Sequence, residues 1–216
     1  MCGRFQLSVK GKEISERFHV EVYNDKFTPR YNCAPSQLLP VITNEEPGVL
    51  NYFRWGLIPY WAKDPKIGYK LINTRAETVR EKPSFKRAFE YQRCLVPANG
   101  FYEWRKTDKQ PFRIFIKNEP LFSMAGIWEK WLDVEKRPLY TFSIITTRAN
   151  RFMKPLHHRM PVILPREVEK EWLTETDLEL LSELLMPYNG AKMDAYPISE
   201  RINSPKNNDE TLIYPI

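Results

Sequence analysis

Long apolar runs are missing from this chain. The longest stretches, such as residues 123–128 (S-M-A-G-I-W) and 142–145 (F-S-I-I), are far too short to cross a bilayer, so a membrane partner is not expected. The first residues, M-C-G-R-F-Q-L-S-V-K-G-K-E, hold no apolar core of a secretory signal peptide. Cysteine is scarce: Cys2, Cys33 and Cys94 make an odd set of three with no C-x-x-C. That argues for a reducing compartment, and against both a disulfide framework and a structural zinc site. Neither G-x-G-x-x-G nor G-x-x-x-x-G-K-[ST] occurs, so the usual dinucleotide and nucleotide-phosphate loops are absent. No metal and no small-molecule cofactor is expected.

What is present is globular. The chain has 216 residues, 42% hydrophobic and 28% charged, which suits one domain over 1–216 with a core large enough to need no staples. Eighteen prolines against eight glycines point to stiffened loops rather than a linker. Residues 49–55, 92–97, 112–116, 121–129, 139–146 and 161–164, rich in Phe, Tyr, Ile and Val, read as strands. Helical patterns occur at 11–19, 84–91, 165–173 and 176–186. Strands dominate the middle and helices are inserted singly. That is an α+β domain with a mostly antiparallel β-rich core and a few peripheral helices. The net charge of +6 favours a phosphate-bearing partner. The arginines stand singly among apolar residues, as a shaped groove requires.

Five segments could carry chemistry. Cys2 is the first. Methionine aminopeptidases remove Met1 when residue two is small, which would leave an N-terminal 1,2-aminothiol. Its amine and thiol are both partly deprotonated near neutral pH. The amine can form an imine with an aldehyde, and the thiol can close a thiazolidine on it. A frayed, exposed thiol is the plain alternative. In K-P-L-H-H-R-M-P, an extended backbone would put His157 and Arg159 on one face and His158 on the other. A proton donor beside a bidentate anion binder suits chemistry next to a phosphate. In A-N-G-F-Y-E-W, the flanking Tyr102 and Trp104 could desolvate Glu103 toward a general acid/base role. Asn73 and Arg75 share a face if L-I-N-T-R is extended. Trp55, Tyr60 and Trp61 lie beside basic residues, either as a base-stacking platform or, for Trp55, as core.

These pieces occur together in one order: M-C-G-R-F at the start, Y-N-C-A-P at 31–35, W-G-L-I-P-x-W at 55–61, N-T-R-A-E-T at 73–78, G-F-Y-E-W at 100–104 and H-x-R-M-P at 157–161. The chain resembles the SRAP (SOS response-associated peptidase) family over its whole length. The resemblance implies a single α+β domain with a basic groove that crosslinks abasic sites in single-stranded DNA through Cys2 after loss of Met1. A weak lyase activity and reversal of the crosslink go with that chemistry. The family's site residues match Cys2, Asn73, Glu103 and His157. Its phosphate-binding arginines match Arg4, Arg75 and Arg159, and its loop and aromatic DNA residues match Pro35, Trp61 and Trp104. Where some members carry a further arginine, this chain reads E-K-P-S-F-K-R, with Pro83 near that place. The partner implied is abasic single-stranded DNA, met by a monomer in the cytoplasm or nucleoid. Two other readings stay open: a thiol peptidase built on Cys2 and His157, and a non-covalent single-stranded DNA binder.

Overall fold

Two sheets share one core, and the site lies where the first strand of one meets one of the two longest strands of the other. The structure is a computed structural model and describes residues 2–23 and 27–216. The expected loss of Met1 concerns a residue outside that set. In chain order the strands are β1 (Phe5–Leu7), β2 (Arg30–Cys33), β3 (Leu38–Thr43), β4 (Asn51–Trp55), β5 (Asn73–Arg75), β6 (Arg93–Ala98), β7 (Gly100–Trp104), β8 (Pro111–Ile116), β9 (Phe122–Leu132), β10 (Pro138–Arg148), β11 (Arg159–Pro161), β12 (Ile163–Leu164) and β13 (Met193–Pro197). The α-helices among the described residues are α1 (Gly11–Phe18), α2 (Lys86–Tyr91), α3 (Arg166–Thr174) and α4 (Leu178–Glu183). All the strands and helices read from the sequence are present with shifted ends. The strand expected at 161–164 divides into β11 and β12. The α+β reading with a β-rich core holds.

The first sheet runs β13-β8-β7-β1-β2. The second closes on itself: β10 pairs β9 antiparallel on one side and β4 parallel on the other, and β4-β3-β6-β9 complete the ring. Closure leaves few open edges. The C-terminal part of β10 runs on past the ring. There it pairs β5 in parallel (Ile144 with Asn73, Thr146 with Arg75) and β11 antiparallel (Thr146 with Pro161, Arg148 with Arg159). One strand thus carries the 73–75 and 157–161 segments side by side.

The three-residue β1 is held in the middle of its sheet by its side chains. Phe5 and Leu7 are buried, and Phe5 packs edge-on to Trp55 at 5.3 Å. Burial of each contributes about 2 kcal/mol, against about 1 kcal/mol net for a ladder hydrogen bond. The apolar anchors therefore decide where the chain's start sits. Trp55 itself is fully buried against Phe142, so it belongs to the core and not to a stacking surface. The outer face of the first sheet carries a second, smaller cluster of Tyr102, Ile198, Ile202 and Leu212, covered by the C-terminal segment.

Candidate active site

The β1–β7 register builds the centre of the site. Phe5 pairs with Phe101 and Gln6 with Gly100, and the Tyr102 N–H donates to the Arg4 carbonyl at 3.0 Å. Continuing that register sets Gly3 opposite Glu103, one residue from Cys2. Along β7 the side chains alternate. Phe101 and Glu103 face the main core, while Tyr102 and Trp104 face the outer cluster. Glu103 is therefore a carboxylate on a core-facing position, 3% exposed. Burial raises its pKa to about 7.

Cys2 is 0% exposed and part of the main core, not a frayed thiol. Burial first, and then the nearby Glu103 carboxylate, push its thiol well above the ordinary range. Across from it, Asn73 Nδ2 donates to the Cys2 carbonyl at 2.7 Å. Asn73 Oδ1 is buried with no hydrogen-bond partner among the described residues, and so is left as an acceptor beside Cys2. Asn73 reaches this place because β5 is extended and lies against β10. Arg75, two residues on, is exposed.

The histidines depart from simple alternation. The strand β11 begins only at Arg159, and the chain bends at His158. The two imidazoles therefore lie together, centroids 4.4 Å apart, instead of on opposite faces. They still differ in environment: His157 is half-buried and His158 exposed. His157 Nδ1 lies 3.0 Å from the Arg159 N–H and 3.2 Å from the Arg159 carbonyl oxygen. The two contacts demand opposite protonation of Nδ1. An amide N–H can only donate, so in the neutral ring Nδ1 accepts and the proton sits on Nε2. Burial lowers the His157 pKa to about 4, so the ring is neutral at pH 7.

Of the three matched arginines, only Arg75 is free of protein acceptors among the described contacts. Arg159 is nearly buried. Its guanidinium grips Glu77 at 2.7 and 3.0 Å and the Thr146 carbonyl at 2.5 Å. Arg4 donates to Asn32 Oδ1 at 2.8 Å and to the Ile202 and Asn203 carbonyls at 2.7 and 3.0 Å, which fastens the C-terminal segment to the first sheet. Trp104 donates from Nε1 to Asn203 Oδ1 at 2.8 Å in the same region. Trp61 is 47% exposed, and Pro35 is half-buried beside Ser36, whose φ is +72°. Sequence reasoning passed over Glu77, although it stands in the quoted N-T-R-A-E-T. The signal was its place four residues after Asn73, opposite an arginine-bearing strand. No cluster of His, Cys, Asp or Glu able to hold a metal is found among the described residues.

Chemically, the arrangement is a buried thiol at the second residue of the chain, a carboxyl group that exchanges protons near pH 7, and a neutral imidazole donor. An amide fixes the peptide between them. The SOS response associated peptidase (SRAP) family model matches residues 1–205. The chain is similar to the Abasic site processing protein YoqW of Bacillus subtilis (strain 168), 49% identical over 221 residues and 99% of each chain. It is also similar to the Abasic site processing protein HMCES of Xenopus tropicalis, 32% identical over 86% of this chain and 65% of that one. An X-ray structure of a protein from Bacteroides thetaiotaomicron superposes with a TM-score of 0.92 at 34% identity, covering 100% of both chains.

Proposed function

The chain belongs to the SOS response associated peptidase (SRAP) family, and from that premise we propose that it processes abasic sites in single-stranded DNA by forming a covalent thiazolidine through Cys2. The observation that carries the reading is the Asn73–Cys2 contact at 2.7 Å, which holds the terminal residue against a carboxyl group of pKa about 7. Loss of Met1 frees the Cys2 amine. His157, donating from Nε2–H, polarises the deoxyribose ring oxygen as the sugar opens to its aldehyde. Glu103 takes the amine proton, and the amine attacks the aldehyde carbon. Water leaves and an imine forms. The Cys2 sulfur then adds to the imine carbon while its proton passes to the ring nitrogen. The net change is one water lost, with no oxidation or reduction. General acid/base help of this kind contributes roughly 10²–10⁴-fold. Imine formation also permits β-elimination of the 3′-phosphate, which thiazolidine closure suppresses. Arg75, Trp61 and Pro35 contact the strand. Arg4, Trp104 and Arg159 shape the walls, and Arg159 also holds the backbone donor to His157.

A thiol peptidase needs a thiolate at neutral pH, and reactive cysteines have lowered pKa values. Burial drives Cys2 the other way, which favours chemistry begun by the amine. Denaturing electrophoresis with abasic and intact oligonucleotides tests the proposal. A shifted band with the abasic strand alone supports it, and loss of all association at high salt would leave only a non-covalent binder.

A further inference from the structure

The segment between β4 and β5 is a closed loop of which the site proposed above uses only Trp61. Its ends meet: the Leu57 N–H donates to the Leu71 carbonyl at 3.2 Å. Gly56 and Gly68 cross where no side chain fits, since a Cβ on Gly56 (φ +128°) would come within 2.6 Å of the Gly68 carbonyl oxygen. The loop is anchored from below. Ile58, Ala62 and Trp131 form their own apolar cluster, and the Trp131 indole donates to the Ala62 carbonyl at 2.7 Å. Compact loops of this kind, packed by their own side chains, are frequently functional. This one turns its polar side outward. Lys63, Lys66 and Lys70 are exposed, and so are Trp61 and Tyr69, with the Arg54 guanidinium 5.4 Å from the Tyr69 ring. The single carboxylate among them, Asp64, is turned to its own backbone, accepting from the Lys66 N–H at 2.9 Å. A cleft of about 500 Å³ lies between Trp61 and these lysines.

We infer that this ledge extends the single-strand path beyond Trp61 as a second subsite, which takes the DNA flanking the lesion: Lys63, Lys66 and Lys70 hold successive phosphates. The inference rests on the reading of the chain as an abasic-site binder. Three observations carry it. Cations outnumber the one internally satisfied carboxylate, which matches a phosphate backbone. Aromatic faces alternate with those cations, as in sequence-tolerant single-strand sites. Lys70 closes a short helical turn three residues before Asn73, at most about 10 Å along the chain, so a strand whose abasic sugar is at Asn73 meets the ledge within a few nucleotides. A rigid loop also orders nothing of itself on binding.

The test uses the full chain with Lys63, Lys66 and Lys70 all changed to Glu, and a second variant with all three changed to Arg. Crosslinking rates are measured below saturation on oligonucleotides of about 5 and about 15 nucleotides, each with a central abasic site, lengths near the two ends of the single-strand site-size range. The Glu variant should crosslink the long strand at least about tenfold more slowly at low salt, while its log–log salt slope falls by about 2, at about 0.7 per lost phosphate contact. The short strand should react at the wild-type rate with both variants, and the Arg variant should match wild type on both strands. Equal rates for the Glu variant and wild type on the long strand would overturn the ledge, and so would an equal loss on the short one. Fluorescence anisotropy with an intact oligothymidine separates this failure from failure of the functional reading. If no oligonucleotide crosslinks but the Glu variant binds oligothymidine more weakly, the ledge stands and the lesion chemistry does not. Unchanged oligothymidine binding overturns the ledge.

Discussion

The pocket around Cys2 and the ledge before β5 meet in the chain at Asn73, three residues after Lys70, yet they are built on opposite principles. In the pocket, Cys2 and Glu103 are almost wholly removed from water. There a carboxyl group shifts to about 7 and an imidazole to about 4, so burial sets which groups can hold or release a proton near neutrality. On the ledge, Lys63, Lys66 and Lys70 stand in solvent, where charge acts through a salt-screened field. The contrast teaches a division of labour. Substitutions in the pocket should change the rate constant with little effect on affinity, and substitutions on the exposed cations should do the reverse.

Cys2→Ala breaks the pocket most completely. It should abolish the crosslink, because it removes the sulfur that closes the ring. Cys2 is buried in the core, so the change also removes a packed atom. By comparison with one buried methyl this costs about 1 kcal/mol, a Tm fall of about 2–4 °C by calorimetry. A stable crosslink from this variant would separate the chemistry from Cys2.

Glu103→Gln should slow crosslinking by roughly 10²-fold or more. It should also erase a rise in rate through about pH 7, where the wild-type carboxyl group ionises. Stability gives an independent sign. The folded pKa is raised from 4.5 to about 7, so between those values the native state binds a proton that the unfolded chain lacks. Wild-type stability contributed at this position is therefore present below 4.5 and lost as pH rises through about 7. Urea unfolding across that window should show wild type losing stability relative to Glu103→Gln as pH rises. A difference that does not change with pH would place an ordinary, exposed carboxylate there.

His157→Ala should slow the closed-sugar substrate and be partly rescued by a pre-opened aldehyde. A single-turnover time course on both substrates reads this. Arg75→Ala should act on affinity, flattening the log–log salt slope by about 0.7 with the saturated rate unchanged. His158→Ala should be nearly silent on both substrates, since its ring is exposed while that of His157 is held by Arg159. A larger defect at His158 than at His157 would exchange their roles.

The ring strands β4, β9 and β10 were legible because each is rich in aromatic and β-branched residues over a length that shows a pattern, and β6 because its C-L-V forms a short apolar run. The strands that build the pocket were not. β1 and β5 are three residues each, and β7 reads G-F-Y-E-W, with glycine at its start and a carboxylate inside. Their partners lie far away in sequence, so pairing and not local preference makes them strands. The motif order nevertheless pointed to Cys2, Asn73, Glu103 and His157, which the fold collects along β1, β5, β7 and the bend before β11. The bend itself was illegible, because alternation assumes an extended 157–159. So was the Arg159–Glu77 grip, which joins two segments through β10.

The account stands on covalent capture at residue two, and intact-mass spectrometry of the protein after incubation with an abasic oligonucleotide tests it most directly. The predicted species is the chain without Met1, plus the oligonucleotide, minus one water, resistant to borohydride and absent from Cys2→Ala. An adduct that retains Met1, or one that forms equally in Cys2→Ala, would contradict it.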